Sequence, residues 1–205
     1  TFEKEVNTLY CAHGEKVLVG TDEAVSDAEP TNSEVASQTV DGMVRAAVEV
    51  QTRLDETTIA SGLVLIGGLF SQGLLLWDRF GVQQLGQAPL VPPCVFAISH
   101  TFPAAPPPHN DVIVAGCFTR VGTTVLNGVG RLKFANGYLP NEEHVTWEAM
   151  GHGFTNEGNA DSTSVFAISV AQDVVFAGGI FTSSGKTPLN NLGLLDLRAG
   201  VGAWK

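Results

Sequence analysis

A phrase written twice constrains this chain more than any other feature. Val-Phe-Ala-Ile-Ser occurs in "CVFAISH" at 94–100 and in "SVFAISV" at 164–170. An internal repeat decides fold class before local propensity does, because each unit must be one supersecondary element stacked on its neighbours. A second shared phrase follows each copy: "DVIVAGCFTRVGTTVLNGVGRL" (111–132) and "DVVFAGGIFTSSGKTPLNNLGLL" (173–195). From Phe118 and Phe181 onward they align without gaps, with Phe118/Phe181, Thr119/Thr182, Gly122/Gly185, Thr124/Thr187, Leu126/Leu189, Asn127/Asn190 and Gly130/Gly193 identical.

Two weaker copies lie upstream. "GLVLIGGLFSQGLLLWD" (62–78) matches through Gly67, Gly68 and Phe70, and "VNTLYCAHGEKVLVG" (6–20) matches the start of the unit. The glycine-ended segments begin at 17, 64, 112 and 174, in steps of 47, 48 and 62. Each unit offers about four short runs rich in β-branched or aromatic residues and bounded by Gly, Asn or Pro, which reads as four strands. In the third unit these are "CVFAIS", "DVIVAGCF", "GVGRLKF" and "HVTWEAM"; in the fourth, "SVFAIS", "DVVFAGGIF", "NLGLLDL" and "GVGAW". The spacing and strand count predict an all-β fold, a β-propeller of four-stranded antiparallel blades. The units are expected at approximately 1–57, 58–92, 93–162 and 163–205, within one domain or segment of a larger propeller. Residues 41–56 could also be drawn as a helix. There the alternation of Val44, Ala46, Val48 and Val50 with Arg45, Ala47, Glu49 and Gln51 favours a half-buried strand.

The phrase order resembles the kelch-like, propeller-type repeats of bacterial surface proteins (the delta-sixty type) and of fungal cortical polarity markers. "VFAGGIFTSSGKTPLNNLGLLD" (174–196) is the copy nearest to that pattern, and "LLLWD" (74–78) carries its Trp-Asp ending. The resemblance spans about two-thirds of the chain and weakens over 21–61. It implies a noncatalytic propeller found on cell surfaces or in extracellular matrix.

Composition narrows the partners. With 11 Lys and Arg against 21 Asp and Glu, the net charge of −10 opposes nucleic-acid backbones and anionic membranes. The most apolar stretch, 62–77, is interrupted by Ser71 and Gln72 and is too short to cross a bilayer as a helix. No signal peptide is visible at the start of the chain, and no Asn-x-Ser/Thr sequon occurs.

Cysteine placement yields a local expectation. If "CVFAIS" and "VIVAGCF" form a hairpin that pairs Ser99 with Val112, the same register sets Cys94 opposite Cys117, within reach of a disulfide. The alternative is a pair of buried thiols. A disulfide would place the chain outside the cell or at its surface. Cys11 is left over.

No catalytic, cofactor or metal constellation is expected. The five histidines lack zinc-site spacing. The acidic loop at 156–162 lacks the carboxylate spacing of a calcium loop, and "GTDEAVSD" (20–27) reads as a charged loop. Ser71 in "GLFSQG" takes the repeat position of Thr119 and Thr182 and is no nucleophile elbow. The segment "HTFPAAPPPHN" (100–110) departs from the repeat. Its prolines favour an extended, projecting conformation, so His100, Phe102, Pro106, Pro107, Pro108 and His109 are candidates for a partner contact.

The function expected is therefore a noncatalytic extracellular or surface structural and adhesive propeller assembling with other protein subunits or matrix components. Two alternatives remain. One is a carbohydrate-binding propeller using Trp77 or Trp147; the other is the scaffold of a propeller enzyme whose active residues lie elsewhere.

Overall fold

The computed structural model describes residues 6–12, 16–21, 24–28, 36–39, 41–53, 59–78, 81–83, 85, 89–101, 111–134, 145–157, 162–199 and 202–205. It is all-β, with several antiparallel sheets. Sheet 1 comprises β1 (Val6–Ala12), β2 (Lys16–Thr21), β3 (Ala24–Ala28) and β4 (Ala36–Thr39). Sheet 2 comprises β5 (Met43–Arg53), β6 (Ile59–Leu69), β7 (Leu74–Asp78) and β8 (Gly81–Gln83). A short β9 (Leu90–Val91) then leads into sheet 3, which is made of β10 (Val95–His100), β11 (Val112–Gly116), β14 (Val129–Phe134) and β15 (Val145–Ala149). Between β11 and β14, β12 (Arg120–Val121) and β13 (Thr124–Val125) form a small hairpin that pairs with β9. Sheet 4 comprises β16 (Ser164–Ala171), β17 (Val174–Ile180) and β20 (Leu192–Asp196), with the hairpin β18 (Ser183–Ser184) and β19 (Thr187–Pro188) between the last two. Leu194 and Lys205 exchange N–H···O bonds of 2.8 Å in both directions, so the C-terminal "GAWK" pairs along β20 in the place of a fourth strand.

Residues 43–53 form a strand, as their alternation predicts. The division between the first two sheets falls between Thr39 and Met43. The boundary expected at 57/58 therefore lies inside sheet 2, between β5 and β6. Part of the expected charged loop at 20–27 is strand as well, since Ala24–Ala28 pairs with β2.

Every sheet carries the same irregularity. Near the start of its first strand one residue is left without a partner: Asn7, Arg45, Phe96 and Phe166 in turn. A bulge of this kind bends the strand and exchanges its faces. It corrects the sequence-based register. Ser99 pairs with Ile113 and His100 with Val112, one residue away from the Ser99–Val112 pairing expected. The bulge at Phe96 then restores Val95 to Gly116. It also corrects the faces of "VFAIS". Val95 and Ile98 pack together toward sheet 2, while Ala97 packs toward sheet 4. A regular strand would instead have grouped Val, Ala and Ser.

Glycines sit opposite the bulge for a steric reason. A Cβ on Gly68, Gly116 or Gly179 would fall on the carbonyl oxygen of Met43, Cys94 or Ser164, respectively. The bulge brings those carbonyls inward, and only glycine leaves room for them.

The sheets stack through apolar layers. Val48, Val50, Leu63, Leu65, Leu74 and Leu76 of sheet 2 meet Val95, Val112, Val114 and Leu132 of sheet 3. The opposite side of sheet 3, through Ile113, Ala115 and Val129, meets Val165, Val175, Ala177 and Leu195 of sheet 4. A third cluster, with Val64, Ile66, Phe70 and Trp77, lies on the other side of sheet 2. The first strands lie side by side in chain order, β1 against β5, β5 against β10 and β10 against β16. Burial on both faces explains why β6 and β11 are continuous apolar runs rather than alternating ones.

The shared phrase after each glycine-ended strand builds the hairpins. Phe118 and Phe181 are fully buried, Gly122 and Gly185 adopt positive φ at the two turns, and Leu126 and Leu189 tuck back into the layers. Leu126 N–H donates to Thr119 O, and Leu189 N–H donates to Thr182 O.

Two adjacent glycines separate these constraints. A Cβ on Gly178 would have only Asn191 O within reach, at 3.9 Å, whereas one on Gly179 would meet the Ser164 carbonyl. Gly178→Ala is expected to leave Tm within about 1 °C, and Gly179→Ala to lower it by roughly 4–8 °C, the effect of about 2 kcal/mol in a domain of this size. Differential scanning calorimetry of both variants checks the contrast.

Candidate functional site

The residues singled out by sequence gather at the two ends of sheet 3. At one end the restored register puts Cys94 opposite Cys117, and the two sulfurs are bonded, with Cα atoms 5.4 Å apart. Cys117 N–H also donates to Cys94 O at 3.3 Å, so the bridge and the backbone close the same end of the β10–β11 hairpin. Cys94 is buried, whereas Cys117 is partly exposed. The corresponding pairs in sheets 2 and 4 are Met43–Leu69 and Ser164–Ile180, so the repeat itself does not require a bridge here.

At the other end stands the base of the proline-rich loop. Thr101 donates through its N–H (3.0 Å) and its hydroxyl (2.7 Å) to Asp111 O, clasping the loop where it leaves and rejoins the sheet. The nearly buried Asp111 carboxylate pairs with Arg131, whose guanidinium also lies 3.7 Å from Glu148. Glu148 in turn is 3.4 Å from Lys133. The loop candidates Phe102, Pro106, Pro107, Pro108 and His109 lie outside the described residues. His100 is described. It closes β10, where burial pushes its imidazole below the usual value of 6.5, partly opposed by Glu49 of the neighbouring β5.

A depression of about 280 Å³ adjoins the disulfide, lined by Pro92, Cys117, Phe118, Thr119, Asn127, Phe154, Thr155 and Thr163 among others. Several of its polar groups serve the scaffold. Thr119 Oγ1 donates to Val91 O at 2.9 Å, Asn127 Nδ2 donates to His152 O at 3.0 Å, and the Thr155 and Ser183 hydroxyls are bonded at 2.8 Å. Among the described residues no group of three or more His, Cys, Asp and Glu gathers as metal ligands would. Asn156 Nδ2 donates to Ser162 Oγ at 2.9 Å, closing the acidic loop at 156–162 on itself.

The aromatic candidates for stacking on sugars serve as packing. Trp77 is 4% exposed and belongs to the layer on the far side of sheet 2. Trp147 packs edge-on against Phe118 at 6.3 Å. Sequence reasoning did not single out Trp204, which is fully buried against Phe154 at 4.5 Å and donates through Nε1 to Met150 O at 2.8 Å. Its place in "GVGAW", opposite the repeat's third strand, was the available signal. Among the described residues no helix is long and apolar enough to cross a membrane. No family model matches the chain, and no curated protein matches it.

Two measurements test these ends. Digestion without reduction is expected to yield Cys94 and Cys117 peptides joined, and Cys94→Ala is expected to cost about 3 kcal/mol in urea unfolding, the chain-entropy value for a loop of this length. Lowering pH is expected to weaken the fold through His100. With the folded value depressed, the unfolded state takes up protons more readily, so stability is lost as pH falls through 6.5 and levels off below the folded value. The urea midpoint should follow that course, and His100→Gln should flatten it.

Proposed function

We propose that this chain is a noncatalytic structural and adhesive module, a β-propeller segment working outside the cell or at its surface and assembling with other proteins. The observation that carries the reading is the side-by-side order of β1, β5, β10 and β16, with apolar layers between sheets 2 and 3 and between sheets 3 and 4. Radial propeller blades stack in this way, with first strands toward an axis and loops on two broad faces. The Cys94–Cys117 bond supports an oxidising compartment, where such bonds persist. Within this reading the proline-rich loop at 102–110 is the partner contact. It hangs on the Thr101–Asp111 clasp and replaces the two-residue turn, Gln172 and Asp173, that joins the matching strands of sheet 4.

Adhesion tests the proposal. Beads coated with the folded chain are expected to adhere to the surface or matrix of the cells that produce it. Deleting 102–108 should reduce adhesion at least tenfold while the amide-exchange protection of β10 and β11 stays as it was. Beads that adhere no better than uncoated ones would defeat the adhesive reading, and undiminished adhesion by the deletion variant would remove the loop from it.

A further inference from the structure

Cys117 holds a position of the unit whose side chains face outward. Leu69, Cys117 and Ile180 correspond, standing opposite Met43, Cys94 and Ser164. Leu69 is 37% and Ile180 46% exposed, and Cys117 is itself partly exposed. Cys94 is buried. The two halves of one bond therefore differ in access, and an incoming group meets Cys117 first.

A seat for that group adjoins the bond. Cys117 lines the depression of about 280 Å³, which joins the buried rings of Phe118 and Phe154 to the more exposed Thr119, Thr155 and Thr163. Ligand sites run from roughly 300 to 1,000 Å³, so this volume suits a small molecule. None of the lining residues is charged, so nothing in the wall repels an anion. The same geometry prepares the other sulfur to leave. Cys117 N–H also donates to Cys94 Sγ, at 3.2 Å. A donor there stabilises negative charge on Cys94, which burial alone would disfavour. Thiol–disulfide exchange depends on which sulfur is accessible and on how well the departing one carries charge.

We propose that Cys117 is a reversible S-thiolation site for a low-molecular-weight thiol seated in this depression. The thiolate attacks Cys117 Sγ and forms a new S–S bond. The Cys94–Cys117 bond breaks, and its electron pair leaves on Cys94 Sγ, which takes a proton from water. One disulfide is exchanged for another, with no net oxidation or reduction. Attack by Cys94 on the mixed disulfide expels the thiol and restores the bridge. The exchange releases the covalent pin on β10 and β11. It goes beyond the adhesive reading and does not depend on it.

Reduced glutathione is the probe that tests the proposal. The folded chain is incubated with an excess of it, quenched with acid, then unfolded, alkylated and digested. Glutathione is expected on Cys117 and the alkyl group on Cys94, at least tenfold over the reverse pattern. In urea, where the depression is lost, the two patterns should approach equality. Thr163→Trp, which fills the depression, should slow opening of the native bond at least tenfold and leave the rate in urea unchanged. Thr163→Ala should not slow it. Amide exchange of β10, β11 and β16 reports whether the variants fold; if Thr163→Trp does not, the adduct pattern of the wild type decides alone. Glutathione on Cys94 as often as on Cys117 in the folded chain would overturn the proposal, as would a bond that stays closed. Opening of folded Thr163→Trp at the wild-type rate would overturn the seat in the depression.

Discussion

One unpaired residue near the start of each first strand sets the arrangement of everything above it. Without the bulge at Phe96, strict alternation would put Val95 and Ile98 on opposite sides of sheet 3. With it, both enter the layer shared with sheet 2, and Ala97 faces sheet 4. The bulge draws the preceding carbonyl toward the second strand, and Gly68, Gly116 and Gly179 are the residues that admit it. Bulge, glycine and face exchange are therefore one device in sheets 2, 3 and 4, whereas sheet 1 has Thr21 at the glycine position. A side chain at the glycine would disturb the register on which two apolar layers depend.

Those layers carry most of the stabilisation. A fully buried Leu, Val or Phe contributes about 1.5–3 kcal/mol relative to exposure. The clusters on either side of sheet 3 contain many such residues, including Val95, Val114, Leu132, Ile113, Val129 and Phe154. Burial depends on the neighbouring sheet as well as on the residue itself. Ile113 and Phe176 hold the same register position, yet only Ile113 has a sheet packed over it. Sheet 4 accordingly alternates between buried and exposed along β17, while β11 is buried throughout.

Strand count and order were legible because they depend on patterns of neighbouring residues: β-branched runs, glycine punctuation and a phrase recurring at one offset. The disulfide was legible for a less secure reason. The hairpin was expected to pair Ser99 with Val112; it pairs Ser99 with Ile113, and the bulge at Phe96 shifts the register back before Cys94 is reached. Two single-residue offsets cancel. Bulges leave little mark in composition, so neither the offset nor the faces of "VFAIS" could be read from letters alone. The unit boundary at 57/58 was misplaced because the first strand of sheet 2 lacks the "VFAIS" wording, although Val44, Ala46 and Val48 keep its spacing. Trp77 shows the limit for sites, since an aromatic looks the same in sequence whether it faces solvent or, as here, lies in a layer.

Why sheet 3 alone among the described hairpins carries a covalent bond follows from what is attached to its far end. In sheet 4 the first two strands are joined by Gln172 and Asp173, both at positive φ, a tight turn that holds the pair together locally. In sheet 3 the same strands are joined through 102–110. Each doubling of a loop costs about 0.6 kcal/mol of closure entropy, so this insertion weakens the pairing by about 1 kcal/mol. It also removes the turn that would set the register. The Cys94–Cys117 bond sits at the opposite end of the same two strands and restrains the unfolded chain by about 3 kcal/mol. It more than offsets the loop, and it pins the register on the far side of the bulge. Sheet 3 can therefore carry the insertion at 102–110 while its two faces stay fixed between sheets 2 and 4.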